Sequence, residues 1–391
     1  MYLMHLLEVK SRSDCKRFVS FPVDLYKNQK QYIRPLDKDI ADIFDPAVNK
    51  NFERGNCVRW LLLNENKILG RIAAFVLKKT SVKGVTENFG GVGFFECIND
   101  QNAANALFDI SKNWLVDQGV EFMDGPINFG ARDKWWGLLT KGYDLEPNYQ
   151  CNYNFPYYRE LFENYGFQTY FEHYTFLKVI KEDVNPRLER KAAIVNSNPD
   201  YSFEHFQMEK FEEQTNNIID MYNKAWVNHE GVSAISKEQG HLLMSKLKPI
   251  IDERIIWFAY YKGEPVAFYI NIPEVNQWFK YVNGNLNLIG KLKFLWHKRH
   301  KRNRKMLGFV FGIVPEHQGK GLDGGIIHAF HKMAKSLSNQ YEVIEINGIG
   351  DFNRKMIIVV KQVGGEICKI HTTYRYLFDR TKPFERMKAI K

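Results

Sequence analysis

Apolar positions along the first 180 residues fall in short blocks, separated by stretches in which they recur every three or four residues. Tyr2–Val9 predicts an opening strand, and Ser13–Phe18 with Asp24–Tyr26 predict helical turns. Trp60–Leu63 and Ile68–Leu77, joined by Asn64-Glu65-Asn66-Lys67, predict a hairpin of two apolar strands. Gly93–Cys97 predicts a further strand. Ala103–Val116 predicts an amphipathic helix with Ala106, Leu107, Ile110, Trp114 and Leu115 on one side. Glu121–Met123 leads into Gly125-Pro126-Ile127-Asn128-Phe129-Gly130, Tyr157–Tyr165 predicts a helix stopped by Gly166, and Tyr170–Val179 a closing strand.

The order then repeats with little identity of letters. Lys181–Asp200 mixes charges, Asn, Ser and two prolines, and predicts a connector. Tyr201–Met208 predicts a strand, Phe211–Trp226 a helix, and Ser236–Ile250 another helix capped by Ser236. Ile255–Tyr261 and Pro265–Ile272, joined through Lys262-Gly263-Glu264, predict a hairpin. After an insertion at Val282–Lys305 come a strand at Phe309–Val314, a glycine loop, and a helix from Leu322 carrying Ile326, Ile327, Phe330, Met333 and Ala334 at helical spacing. A strand at Val343–Ile346, a helix around Lys355–Val363 and closing strands through Glu366–Phe378 complete the chain. The division is therefore residues 1–180, a connector at 181–200, and a second unit at 201–391 with the insertion inside it.

Composition narrows the class. With 391 residues, 45% hydrophobic and 15% aromatic, the chain reads as globular and large enough for two units. Cys15, Cys57, Cys97, Cys151 and Cys368 show no paired spacing, which points to a reducing compartment and no structural metal. No apolar run approaches the roughly 18 residues that span a bilayer, and Met1–Leu7 is too short for a signal peptide. A cytoplasmic location is expected. Of the net charge of +10, eight positive charges lie in one acid-free stretch: Lys291, Lys293, Lys298, Arg299, Lys301, Arg302, Arg304 and Lys305. With Leu286, Leu288, Ile289, Leu292, Phe294, Leu295 and Trp296 among them, three readings compete: a solvated loop over the core, an amphipathic segment on an anionic membrane face, and, least favoured, a nucleic-acid contact.

The chemistry centres on Gln318-Gly319-Lys320-Gly321-Leu322-Asp323-Gly324-Gly325 between a strand and a helix. Such a loop can aim several N–H groups and a helix N-terminus at one point, which favours a phosphate. Gly319-x-Gly321-x-x-Gly324 fits a dinucleotide site, with Glu342 or Glu345 downstream as a ribose acid. Against this, the strand ends four residues before the first glycine and follows a hairpin. The corresponding loop of the first unit, Glu96-Cys97-Ile98-Asn99-Asp100-Gln101-Asn102, holds no glycine and two acids, and should repel a pyrophosphate. Tyr153, Phe155 and Tyr157 around Pro156 are candidates for a cavity wall.

The stretch Val314–Gly321 (VPEHQGKG) resembles the acyl-CoA signature of the GNAT N-acyltransferase superfamily. With Gly93–Cys97, Asn99-Asp100-Gln101, Gly125–Phe129, Tyr157-Tyr158, Tyr165-Gly166-Phe167, Asn353 with Met356, and Gly364-Gly365, the whole chain resembles a bacterial family of tandem GNAT-like acyltransferases, some of whose members are ceramide synthase-like. The resemblance implies an α/β class fold, a mixed sheet built as two tandem GNAT folds. It implies acyl-CoA, or acyl carrier protein, as donor, no metal, and an amine acceptor, with a long-chain sphingoid base as the best single guess. It also implies that Ile313 and Val314 present backbone groups to the pantetheine arm, and that Gln318, Gly319, Lys320, Gly321, Leu322 and Gly324 cradle the pyrophosphate with Asn353 nearby. Asp323 departs from the pattern and would compete with phosphate unless it faces away. Glu345, then Glu316, are the candidate bases; Tyr374 or Tyr376 would protonate the leaving sulfur. His371 could relay a proton. A non-catalytic scaffold and a dinucleotide enzyme are the competing classes.

Overall fold

The structure, a computed structural model, describes residues 4–80, 86–130, 132–226 and 234–389. Tyr2 and Leu3 of the predicted opening strand lie outside the described residues. The first half runs β1 (Met4–Glu8), α1 (Arg12–Leu25), α2 (Asp37–Ile43), β2 (Gly55–Asn64), β3 (Lys67–Thr80), β4 (Thr86–Cys97), α3 (Gln101–Asp117), β5 (Phe122–Gly125), β6 (Leu138–Lys141), α4 (Tyr158–Tyr165) and β7 (Gln168–Val179). After α5 (Pro186–Asn196), the second half runs β8 (Tyr201–His205), α6 (Phe211–Trp226), α7 (Lys237–Leu247), β9 (Ile256–Tyr261), β10 (Glu264–Pro273), α8 (Asn276–Phe279), α9 (Leu288–His300), β11 (Lys305–Ile313), α10 (Leu322–Ser336), β12 (Val343–Gly350), α11 (Arg354–Gln362) and β13 (Glu366–Leu377).

Local chemistry accounts for most boundaries. Ser236 accepts from the Gln239 amide, and the Gln239 side chain answers the Ser236 amide, a reciprocal cap that starts α7. Gly166, at φ 108°, stops α4 where the sequence predicts it. Two expectations change. The two helical turns predicted between Ser13 and Tyr26 form one helix, α1, which carries Pro22 inside it. The connector contains α5, started by Asn185 and Pro186; its Leu188, Ala192 and Val195 are buried, because the segment must cover α10 rather than merely span a gap.

The thirteen strands of the described residues form one mixed sheet, ordered β1-β2-β3-β4-β5-β13-β7-β12-β11-β10-β9-β8, with β6 also on β13. The final strands of the two halves have changed places. β7, at the end of the first half, pairs antiparallel with β12 of the second, while β13 pairs with β5 and β6 of the first. β7 and β13 also pair with each other and join the halves. Two of the apolar cores therefore contain a strand from the other half: Phe176 of β7 lies in the main core of the second half and Tyr374 of β13 in that of the first.

Candidate active site

β11 and β12 run parallel only from Lys305 opposite Val343 to Gly308 opposite Ile346. Beyond this point β11 stays with β10 through Ile313, whereas β12 stays with β7, with an irregularity between Ile346 and Ile349 and Gly348 at φ 74°. The two strands thus open a notch in the sheet. Among the described residues β11 has no pairing with β12 past Gly308, so the peptide groups of Phe309–Phe311 on that side of the strand have no strand partner. Against the notch lies a cavity of about 240 Å³ between α10 and α11, walled by Phe309, Phe311, Phe330, Ile346, Met356 and Val359, with Asn347 and Asn353 at its edge.

Past the end of β11 the loop rises to α10. Gly319 and Gly321 have φ of 72° and 82°, the left-handed region that glycine enters at no steric cost. Gly321 is the N-cap of α10 and no side chain caps the helix. Among the described residues the amides of Gly319, Lys320 and Gly321 meet no backbone acceptor, and helix geometry leaves those of Leu322 and Asp323 without one. A Cβ on Gly319 would find nothing within 4 Å, so the loop is open where an anion would sit. Asp323 faces away: its carboxylate pairs with Lys191 of α5 at 3.0 Å. Gly324 serves packing, since a Cβ there would lie 2.6 Å from that of Lys191.

The first half has the same strand–loop–helix unit with the opposite electrostatics. Asp100 places its carboxylate on the amides of Asn102 (2.8 Å) and Ala103 (3.1 Å), the groups a phosphate would need. Glu96 turns inward to accept from Tyr158 (2.8 Å) and Tyr26, with Arg71 at 3.5 Å. Tyr153 lines a hollow of about 60 Å³ beside Glu96 and Trp135, whereas Phe155 and Tyr157 stack on each other at 5.1 Å and pack into the first core.

The remaining predicted residues are scattered by the strand exchange. Glu345 is 1% exposed and bridges Lys305 (2.6 Å) and Lys369 (2.7 Å), and accepts from the Asn148 side-chain Nδ2 at 2.6 Å. Burial pushes its carboxyl upward, but the Lys369 and Lys305 ammoniums outweigh that and hold it below the usual glutamate range. It is a committed anion, poorly suited to take a proton at neutral pH. Tyr374 pairs with Gly125 of β5 and bonds Glu163 at 3.1 Å, and Tyr376 packs on Tyr165 and Phe167. Both pack into the first half's core, so the structure does not bring them to the glycine loop. The Val314 amide is taken by Val266 and its carbonyl by His317; the Ile313 carbonyl accepts from the Gln318 side chain at 2.9 Å. Asn353 caps α11 through the Met356 amide and still borders the cavity. Glu316 is exposed in the turn before the loop.

The segment 146–152 crosses from the first half to the notch, where no sequence motif places it. Asn148 bonds both Glu345 and Asn347, and the Tyr149 amide reaches Glu274. The Asn347 side chain lies 3.5 Å from the Cys151 sulfur. Burial pushes that thiol up to about 12, so Cys151 is a neutral wall rather than a nucleophile. The one local signal was Asn347-Gly348, a turn pair inside an apolar strand.

His371 and His173 face each other across β13 and β7. Burial pulls His371 down to about 4. Burial, with help from the charges of His371 and Arg132, pulls His173 down to about 3. Both are neutral in the folded protein at pH 7, whereas the unfolded chain protonates them near pH 6.5. Stability should therefore fall as pH drops from about 6.5 to about 4, by about 1.4 kcal/mol per pH unit for each group. Thermal unfolding at steps between pH 7.5 and 4.5 should show this slope, and His371→Gln should remove about half of it.

The mixed sheet excludes a dinucleotide-binding fold at this loop, because the strand before it is antiparallel to β10. Fold and site together define a protein of two tandem GNAT folds. The whole chain superposes on a tandem GNAT protein from the clavulanic acid biosynthesis pathway, with a TM-score of 0.52 and 9% identity, covering 98% of this chain and 100% of that one. By sequence it is 23% identical over 375 residues to a bacterial ceramide synthase of Caulobacter vibrioides (strain NA1000 / CB15N), covering 95% of this chain and 97% of the relative. It is 22% identical over 378 residues to protein YghO of Escherichia coli (strain K12), covering 93% of each chain. No family model matches the chain.

Proposed function

We propose that the protein is an N-acyltransferase that moves an acyl group from a coenzyme A thioester, or the thioester of an acyl carrier protein, to an amine. The observation that carries this reading is the contrast between the two halves: the second has an uncapped glycine loop beside an open notch and an apolar cavity, while the first fills the equivalent amides with Asp100. The amides from Gly319 to Asp323 suit the diphosphate, with the exposed Gln318 and Lys320 at the rim. The unpaired peptide groups of Phe309–Phe311 suit the pantetheine arm and the thioester oxygen. Asn353 borders the same channel.

The chemistry needs an uncharged amine to attack the thioester carbon, forming the C–N bond and expelling the thiolate, which takes up a proton as the nitrogen loses one. Fixed amides of the notch would stabilise charge on the carbonyl oxygen without reorganising. Glu345, locked between two lysines, is proposed as a positioning residue beneath the notch rather than the proton acceptor. The aromatic and aliphatic wall favours an acyl chain longer than acetyl. By likeness to the Caulobacter protein, the acceptor proposed is a long-chain amino base.

Incubating the chain with palmitoyl-CoA and a panel of amines, read by thiol release and mass spectrometry, tests this. One thiol per amide is expected; no thiol release, together with no thermal stabilisation by coenzyme A, would leave a non-catalytic scaffold as the better account. Val359→Trp, which fills the cavity, should cut turnover of palmitoyl-CoA by about tenfold or more while sparing acetyl-CoA.

A further inference from the structure

α9 is turned so that its apolar side faces away from the protein. Gly290, Phe294 and His297 form its inner face: Phe294 meets the rings of Phe279 (5.4 Å) and Trp278 (6.0 Å), and His297 stacks on Tyr281 at 4.0 Å. On the opposite side stand Leu288, Ile289, Leu292, Leu295 and Trp296, exposed by 75%, 63%, 60%, 57% and 53%. Their spacing of i, i+1, i+4, i+7 and i+8 places all five on one stripe. A core helix has the reverse arrangement.

Charge lies on both shoulders of the stripe. Lys291 and Lys298 flank it on one side, Lys293 on the other, and Arg299 sits at its C-terminal end. Not all eight cations of this region contribute. Lys305 is buried against Glu345, and Arg302 and Arg304 pair with Glu342 at 3.3 and 3.8 Å. Among the described residues, the other five, Lys291, Lys293, Lys298, Arg299 and Lys301, have no acidic partner, and Lys298 donates to the Pro249 carbonyl. An outward apolar stripe bearing a tryptophan, edged by unpaired cations, complements one surface: acyl chains beneath a layer of anionic headgroups. The helix has 13 residues, too few to cross a bilayer and enough to lie in its interface.

We infer that α9 is an in-plane docking helix that seats the protein on an anionic lipid surface. Its N-terminal end borders a hollow of about 320 Å³ lined by Arg34, Asp37, Ile289 and Lys293. Arg34 and Asp37 also line the inner hollow that reaches Cys151, whose sulfur touches Asn347 at the notch. A chain leaving the bilayer beside α9 would meet this opening first. The docking itself does not depend on the acyltransferase reading.

Co-sedimentation of the full chain with vesicles tests the inference. Binding is expected to mixed phosphatidylglycerol and phosphatidylcholine vesicles and to be weak to phosphatidylcholine alone. Reversing Lys291, Lys293 and Arg299 to glutamate should weaken it by at least about 100-fold, the factor that about 1 kcal/mol per lost charge implies for three charges. Leu292→Glu with Trp296→Glu should abolish it; both positions are exposed, so circular dichroism and melting temperature should not change. Absence of wild-type binding at low salt would overturn the inference, as would equal binding by the Leu292→Glu/Trp296→Glu variant. A wild-type dimer on gel filtration that this variant dissolves, with no vesicle binding, would instead make α9 a contact between two copies.

Discussion

Gly319→Asp is expected to weaken coenzyme A binding by about 100-fold, while Gly319→Asn costs less than about tenfold. Gly319 has φ 72° and open space around it, and asparagine and aspartate tolerate that backbone better than other side chains. The two variants have nearly the same shape and differ by one charge at the place proposed for the diphosphate. A carboxylate about 5 Å from one phosphate charge, at an effective dielectric of about 20, is repelled by about 3 kcal/mol. The first half already contains this experiment in natural form, with Asp100 on the equivalent amides. Calorimetric titration of both variants with coenzyme A is the measurement. If Asn and Asp weaken binding equally, the loop acts through its shape and not its amides; if neither does, the diphosphate lies elsewhere.

Glu345→Gln should destabilise the protein by about 3–5 kcal/mol, because it removes the carboxylate that the ammoniums of Lys305 and Lys369 both contact and leaves only Glu274 to balance two interior cations. Replacing all three residues with methionine should recover part of the loss, since an apolar set of similar size avoids the desolvation of these three ions, while the buried Glu274 gives up its two cations and takes a proton more readily. The midpoint of urea unfolding for the single and triple variants decides this. The same pair of variants separates the two roles of Glu345. A general base lost to glutamine would leave stability near wild type and remove turnover; a positioning anion would lose stability first, with turnover partly restored in whatever fraction stays folded.

Near Glu345 the reach of sequence reasoning is easiest to see. The strand that carries it was legible from Val343-Ile344 and Ile346, but its partners, Lys305 and Lys369, lie in other strands brought alongside by the sheet. Tyr374 and Tyr376 are the counterpart: their strand was predicted, and its place in the sheet was not, because alternation of apolar and polar residues specifies a face and not a neighbour. Asp323 shows the same limit on a small scale. Its carboxylate threatened the phosphate site only until Lys191 of an unanticipated helix drew it away.

What the sequence by itself determined is what a dozen consecutive residues can encode: the doubled order of strands and helices, the glycine loop before α10, the acid-bearing loop before α3, and the caps at Ser236 and Gly166. Periodicity, backbone freedom and side-chain–amide bonds act over one or two turns, so the letters suffice. Only the tertiary structure decided that β7 and β13 trade halves, that α9 shows its leucines to the outside, and that Lys305 turns inward while its neighbours do not. Those outcomes depend on which surfaces meet across hundreds of residues, where strand-pairing energies are nearly alike and burial of a charge is settled by whether an opposite one is already there.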